Sequence, residues 1–490
     1  MKKLFSCLVA SLALSVVYGQ SEAEKVADTV SKADIEGHIY FLASDELKGR
    51  ATGSPELDIA AQYLATTFRR YGVKPVPQAT DGYFQPVKLN KTSAATNMSI
   101  KLNQFASSKI LNMNSQNLNF KGKAVFLNFG EAKDFQEQDV KGKLVVVKGG
   151  LPGKTAYPDI AASGPDKVKL AQEKGAIGLV ELITVPDELW GRLDHHYNGE
   201  KLSLDTPGTQ AAFARILVQD PDKGLATALP KQKNIQADLS LSGLSKSTVL
   251  SKNVVGLVEG TDPVLKNEYI IYSAHYDHVG IGKPNAAGDS VYNGARDNAV
   301  GTTTVLSIAE NLAKYPAKRS ALFILFTGEE EGLLGSAWYV ENPLLPLNKM
   351  VYCFNSDNAG YNNTNLITII GLGRTTAEAN IKKAATQFGL TATDDPAPEQ
   401  GLFDRSDNVH FAAKGIPAPT FSLGFSAFTG DVLKYYHQPG DNPDTLDYDY
   451  LYKFFQAYVL AGRNIANDPV TPTWKNNDKY QAAGKKLYGK

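Results

Sequence analysis

The stretch that decides the fold is Ala321–Ser336, ALFILFTGEEEGLLGS. Its first part, Ala321–Phe326, is an unbroken apolar run, as expected of a central strand that is covered on both faces. Thr327 and Gly328 end this run, and three adjacent glutamates, Glu329–Glu331, follow. A run of charges is most often a solvated loop, but the apolar strand leading into it disfavours that interpretation. Because carboxylates this close together repel one another, the stretch predicts a cation at the carboxyl end of the strand.

The composition is that of an ordinary globular protein. A chain of 490 residues is too long for one compact domain, so we expect two or three. Apolar residues make up 43% of the sequence, which is enough for a large core. The 51 Lys and Arg residues balance 51 Asp and Glu residues. This zero formal charge argues against nucleic acid or an anionic membrane as a partner.

Residues 1–19 read as a secretory signal peptide. Two lysines precede a short apolar segment, Leu4–Val17, and Val17–Gly19 fits a cleavage site. No other segment is apolar enough to span a membrane. Removal of the peptide would also remove Cys7 and leave Cys353, so no intrachain disulfide is expected. These features predict an extracytoplasmic protein, periplasmic or secreted, that is held together by its core.

Changes of pattern divide the rest of the chain. Residues 24–95 begin with amphipathic helices, and in residues 251–468 strands alternate with helices. This pattern predicts one discontinuous domain of the α/β class, with a mostly parallel central sheet and helices on both faces. Residues 96–250 contain short β-rich runs and are predicted to form a small inserted domain. Residues 469–490 are predicted to be a polar, loosely packed tail.

Polar side chains follow several predicted strands of the second α/β segment. These imidazoles and carboxylates lie in five separate places along the chain: His275-Tyr276-Asp277-His278, Asp297, Glu329-Glu330, Asp357 and His437. Each is a weak signal alone, because such residues in loops more often form turns or caps. Together they offer nitrogen and oxygen ligands, without thiolate, to one edge of a sheet. That set suits two divalent metal ions, and two Zn²⁺ ions would account for the crowded glutamates.

The motifs that carry these residues resemble those of the M28 family of co-catalytic zinc peptidases, in the family's order. They are AHYDHVG (Ala274–Gly280), NGARDNAVG (Asn293–Gly301), TGEEEGLLGS (Thr327–Ser336), NSDNAG (Asn355–Gly360) and YHQPGD (Tyr436–Asp441). The segment FLASDELKGRATGS (Phe41–Ser54) is also similar to the family's N-terminal part. The insert, through DVKGKLVVV and AQEKGAIGLV, resembles a protease-associated (PA) domain. The resemblance implies a zinc exopeptidase-like fold.

The resemblance implies a cofactor of two Zn²⁺ ions. His275 and Asp357 would bind one ion, and Glu330 and His437 would bind the other. Asp297 would bridge both ions. Each role is carried over from the matching position of the family's motif.

The resemblance also implies roles in catalysis. Glu329 would be the general base that takes a proton from a metal-bridging water and returns it to the leaving amine. Asp277 would orient the imidazole of His275. Tyr436 would donate a hydrogen bond to the oxyanion. The family pattern leaves His278 outside the set of metal ligands.

The implied activity is that of an exopeptidase, foremost an aminopeptidase that hydrolyses the N-terminal peptide bond of peptide substrates. A carboxypeptidase or dipeptidase of the glutamate-carboxypeptidase type is the alternative, with Arg296 and Arg405 as candidate cations for the substrate carboxylate. Glutaminyl cyclisation on the same fold uses a single zinc, which the full ligand set argues against. A non-catalytic, receptor-like homologue would lack ligands that are present here.

Overall fold

The computed structural model describes residues 20–136, 138–205 and 213–489. The predicted signal peptide, residues 1–19, lies outside the described residues. The chain divides into two compact units. One unit is Lys88–Leu250, and the other combines the chain up to Val87 with the chain from Ser251 onward. Within the described ranges, no helix combines the length and the apolar character needed to cross a bilayer.

The discontinuous unit is built around one mixed sheet. Its strands are, in spatial order, Thr391–Thr393, Leu366–Ile370, Thr420–Leu423, Met350–Ser356, Tyr269–His275, Ser320–Phe326, Lys246–Val258 and Phe84–Thr92. The third to sixth of these strands are parallel to one another, and antiparallel pairs flank them on both sides. The predicted α/β class with a mostly parallel central sheet is therefore confirmed.

The strand Ser320–Phe326 shows why helices cover both faces of this sheet. Its alternate residues point to opposite sides, so that Phe323 belongs to one apolar core and Ile324 to another. The first core is completed by helices Pro55–Tyr71, Gly301–Lys314 and Tyr448–Asn467, and the second by Leu334–Glu341 and Asn408–Ala413. The unit's other helices are Glu22–Ala27, Lys32–Leu42, Glu378–Gln387, Gly430–Leu433 and Gln481–Tyr488.

The C-terminal residues are not loosely packed as predicted. They end in the helix Gln481–Tyr488, and Trp474 is only 5% exposed. The indole Nε1 of Trp474 donates to the Gly415 carbonyl at 3.0 Å, and the Tyr488 hydroxyl donates to the Met350 carbonyl at 2.7 Å. The polar composition concealed this packing, in which Trp474, Tyr480 and Leu487 contact one of the apolar cores.

The Lys88–Leu250 unit contains a second sheet. Its strands are, in spatial order, Phe105–Ser107, Asn97–Leu102, Ile235–Ser242, Leu118–Phe126, Leu144–Lys148, Gly178–Ile183, Ala214–Gln219 and Ile110–Asn112. Lys201–Leu204 pairs with the end of Phe84–Thr92. The helices are Tyr157–Glu173, Asp187–Asn198 and Gly224–Ala228. The predicted β-rich character is present, while the assignment to a protease-associated domain stays a prediction.

Candidate active site

The predicted site residues lie at the carboxyl ends of the parallel strands. His275 ends its strand, and Asp357 directly follows Met350–Ser356. Glu329 and Glu330 come after Ser320–Phe326. Because these strands are parallel neighbours, their ends meet at one edge of the sheet. The fold therefore brings together side chains that are far apart in the sequence.

Asp297 and His437 reach this edge from loops. Asp297 lies in the turn before helix Gly301–Lys314, and His437 lies in the segment between Gly430–Leu433 and Tyr448–Asn467. His437 has φ +51°, a left-handed conformation that is uncommon for a residue other than glycine. The loop must therefore hold the backbone of His437 in place against a local preference.

The ligand atoms form two adjacent groups. Within each group all ligand atoms lie within 4.8 Å of one another, and the groups are His278, Asp297, Glu330 and His437, and His275, Glu329 and Asp357. Asp297 faces both groups, with Oδ1 3.3 Å from His275 Nε2 and Oδ2 3.3 Å from His437 Nε2. This two-sided arrangement is the one required of a carboxylate that bridges two cations.

The remaining contacts follow the same division. Glu330 Oε2 lies 3.1 Å from His437 Nε2, and Asp357 Oδ1 lies 3.4 Å from His275 Nε2. The five residues predicted to bind metal therefore lie in these two groups, Glu330 beside His437 and Asp357 beside His275, and their role as ligands stays a prediction.

The electrostatics show how strongly these groups interact. Burial acts against the charged form of Asp297, but hydrogen bonds from His275 and His437 hold its pKa well below the usual value. For Glu330, hydrogen bonds from His278 and His437 likewise overcome burial and lower the pKa to about 2. Burial would lower the pKa of His437, but Asp297 and Glu330 raise it to about 10. The carboxylates are therefore charged and favour positive charge between them.

Asp277 makes closer contacts with the glutamate turn than with His275. Its Oδ1 is 3.8 Å from His275 Nδ1, while the Asp277 carbonyl oxygen is 3.2 Å from the same nitrogen. The carboxylate accepts hydrogen bonds from the Glu329 backbone N–H at 3.2 Å and from the Thr52 hydroxyl at 2.8 Å. Asp277 therefore fixes the turn that carries Glu329, and its oxygens also lie next to Nδ1 of His275.

His278 belongs to the site more closely than the sequence indicated. Its Nδ1 lies 2.7 Å from Glu330 Oε1, and its side chain is fully buried. Gly294, with φ +61°, makes room for the ring, because a Cβ at this position would lie 2.6 Å from His278 Cδ2. The available signals were the imidazole three residues after His275 and the glycine in NGARD, but their proximity follows only from the fold.

Glu329 and Tyr436 line a pocket beside the two groups of ligands. Burial raises the pKa of Glu329 well above its usual value, an effect that His275 opposes and that Asp357 and Glu330 reinforce. The ring of Tyr436 stacks on His437 with centroids 4.1 Å apart. Burial also raises the pKa of Tyr436, so its hydroxyl keeps its proton and is available as a donor.

The two arginines proposed to bind a substrate carboxylate differ in their surroundings. Arg296 is buried, and its Nη1 donates to Asp441 Oδ1 at 2.9 Å, so it is already paired. Arg405 is exposed and lines the pocket, and its Nη2 donates to the Tyr436 hydroxyl at 3.3 Å. Of the described residues that line the pocket, Arg405 is the only Lys or Arg.

Known proteins resemble this chain in sequence and in fold. Aminopeptidase YwaD of Bacillus subtilis is 29% identical over 320 residues, which cover 64% of this chain and 60% of that protein. The chain thus spans less than two thirds of that relative's length. An aminopeptidase from Aneurinibacillus sp. strain AM-1 has a structure that matches with a TM-score of 0.61 at 22% identity, over 93% of this chain and 98% of that chain.

A second solved structure, that of a zinc aminopeptidase from Bacillus subtilis, matches with a TM-score of 0.51 at 20% identity, over 92% of this chain and 97% of that chain. The model of peptidase family M28 matches residues 253–461, the segment that contains every candidate metal ligand. This match agrees with the resemblance of the motifs and with the architecture of the sheet. Residues 253–461 of this chain are similar in sequence to peptidase family M28.

Proposed function

We propose that this protein is a di-zinc aminopeptidase that removes residues from the N-terminus of peptides. The observation that carries the proposal is the convergence of the two ligand groups around Asp297, beside a pocket that also contains Glu329. The M28 match and the aminopeptidase relatives support the same activity.

The ligand atoms fit zinc. Zn²⁺ prefers imidazole nitrogen and carboxylate oxygen in sites without thiolate, and both groups offer this combination at a suitable spacing. His275 and Asp357 would hold one ion, Glu330 and His437 the other, and Asp297 both. When bound, zinc supplies Lewis-acid chemistry and lowers the pKa of water toward 7.

The protein's own side chains would then move the proton and position the substrate. Glu329 takes a proton from the attacking water and delivers it to the nitrogen of the leaving amine. The protonated hydroxyl of Tyr436 donates to the developing oxyanion.

The pocket also indicates which side chains the enzyme accepts. Its lining includes the apolar residues Ile370, Leu402, Phe425 and Phe428. Such a lining favours an apolar N-terminal residue, because burial of its side chain stabilises the bound peptide.

Arg405 supports a second candidate function, that of a carboxypeptidase or dipeptidase. It is the one Lys or Arg among the described residues that line the pocket, and a guanidinium binds carboxylates well. An exposed arginine already bonded to Tyr436 is weaker support than the similarity to aminopeptidases.

A panel of peptides tests the proposal. The mature protein with zinc should hydrolyse peptides with a free N-terminus, whether or not the C-terminus is amidated, and should not hydrolyse N-acetylated peptides. Loss of activity on C-terminal amidation alone would instead establish the carboxypeptidase, with Arg405→Met as the next variant to test.

The role of Glu329 is tested by Glu329→Gln. We expect kcat to fall by about 10²–10⁴-fold with zinc content unchanged. Glu331→Gln, which changes the exposed neighbouring glutamate, is the matched control and should keep the parent rate. Parent activity in Glu329→Gln would exclude Glu329 as the base.

We also propose that the protein works outside the cytoplasm, on the basis of residues 1–19. Sequencing of the mature N-terminus from fractionated cells tests this. A mature protein that begins at Met1 in the cytoplasmic fraction would contradict it.

A further inference from the structure

Arg296 and Asp441 connect the two loops that carry Asp297 and His437. Both side chains are buried, with 3% and 1% of their surfaces exposed. Asp441 Oδ1 accepts from Arg296 Nη1 at 2.9 Å, and Asp441 Oδ2 accepts from the backbone N–H groups of Arg296 at 2.9 Å and of Asp297 at 3.2 Å. The Asp441 carboxylate thus binds the backbone of the bridging ligand itself.

The guanidinium of Arg296 extends the connection along the His437 loop. Its Nη1 donates to the Thr445 hydroxyl at 2.8 Å, and its Nη2 donates to the Thr445 carbonyl at 2.9 Å. It also lies 3.7 Å from the ring centroid of Tyr435, two residues before His437. The loop is therefore held by Arg296 on both sides of the histidine.

This support matters because His437 is in an unfavourable conformation. A non-glycine residue at φ +51° stays there only when its surroundings fix the backbone. In a metal centre, the groups that orient the ligands contribute to metal affinity in addition to the ligands themselves.

We propose that the Arg296–Asp441 ion pair is a positioning device that sets the geometry of His437 relative to Asp297, and with it the affinity of the zinc site formed by Glu330 and His437. The inference rests on the proposed di-zinc function. It reassigns Arg296, which the sequence offered as a cation for the substrate, to the metal centre.

The test measures zinc binding by Arg296→Lys and Asp441→Asn with isothermal titration and metal analysis of the full chain. The lysine variant would keep the positive charge, but it lacks the second nitrogen that donates to the Thr445 carbonyl and the planar group that lies against the Tyr435 ring. The asparagine variant loses the negative charge. We expect the parent to bind two zinc ions. The variants should bind the ion held by Glu330 and His437 about 10–100-fold more weakly, with a smaller loss for the ion held by His275 and Asp357, which shares only Asp297. At saturating zinc, kcat should recover.

Arg319→Lys is the matched control. Arg319 is also fully buried in the same unit, and its Nε donates to Glu268 at 2.7 Å, away from the candidate ligands. This control should lower the melting temperature without changing zinc stoichiometry. Circular dichroism of the metal-free variants checks that each has folded.

Two results would overturn the inference: parent-like affinity for both zinc ions in both variants, or equal weakening of both zinc sites, which would indicate a general loss of structure. Failure of the proposed function gives a different result, because the parent protein itself would then bind fewer than two zinc ions or hydrolyse no peptide.

Discussion

Replacement of His278 tests whether this buried imidazole orients a metal ligand. His278 Nδ1 lies 2.7 Å from Glu330 Oε1, which leaves Oε2 directed at His437. A hydrogen bond to a charged group is worth about 1.5–3 kcal/mol, and each 1.4 kcal/mol corresponds to about tenfold in affinity. Loss of this bond should therefore lower the affinity for the zinc ion held by Glu330 about 10–100-fold.

The two amide variants of His278 distinguish the nitrogens. The side-chain nitrogen of His278→Asn comes close to the position of Nδ1, whereas that of His278→Gln reaches toward Nε2. Zinc titration against a competing chelator should show near-parent affinity for His278→Asn and the full loss for His278→Gln. Equal losses in both would indicate that His278 is itself a ligand, and parent affinity in both would refute the reasoning.

Individual contacts of Tyr436, Gly294 and His38 give three further predictions. Tyr436→Phe should lower kcat about 10²–10³-fold with little change in KM, as steady-state kinetics would show, if its hydroxyl stabilises the oxyanion. Gly294→Ala should lose zinc, because its Cβ would lie 2.1 Å from the Asp297 carbonyl oxygen, whereas Gly288→Ala, with φ +88° and no atom within 4 Å, should keep it. His38, between the hydroxyls of Tyr63 and Tyr71, has its pKa lowered by burial to about 4. In the unfolded chain His38 takes up its proton near pH 6.5, so its contribution to the free energy of unfolding should fall by about 2–3 kcal/mol from pH 7 to 4. In a melting-temperature profile, His38→Gln should flatten this part of the curve, and the exposed-histidine control His196→Gln should not.

The elements that local sequence determines were predicted well. The strand expected over Ala321–Phe326 is Ser320–Phe326, and the long helix Tyr448–Asn467 carries apolar residues at helical spacing, as at Leu451, Phe454, Phe455 and Tyr458. An unbroken apolar run and a long amphipathic pattern each contain the information needed for one element. The candidate metal ligands could also be predicted from the sequence. Metal chemistry limits the residue types, and the motifs contain these residues in the order that the family has.

The supporting contacts could not be predicted in the same way. Arg296 and Asp441 are 145 residues apart, and nothing local to either residue shows that they pair. In the sequence, Arg296 beside a ligand motif is equally consistent with a cation that faces the substrate. Only the packing of the two loops shows that the guanidinium is buried and engaged. The same holds for Trp474 and Tyr488, whose hydrogen-bond partners, Gly415 and Met350, are distant in the sequence.

Arg50 extends this argument to the N-terminal segment. Its guanidinium is 1% exposed and donates to backbone carbonyls, at 2.9 Å to Tyr276, 2.7 Å to Asn293 and 3.1 Å to Gly294. Tyr276 lies between His275 and Asp277, and the other two carbonyls belong to the turn that leads to Asp297. Burial lowers the pKa of Arg50 to about 10, against the effect of the nearby carboxylates, so it remains charged at neutral pH. A fixed cation that binds only carbonyls leaves those carboxylates free for metal while it holds both loops. The family-like segment Phe41–Ser54 therefore supports the loops of the candidate metal site without supplying a candidate ligand.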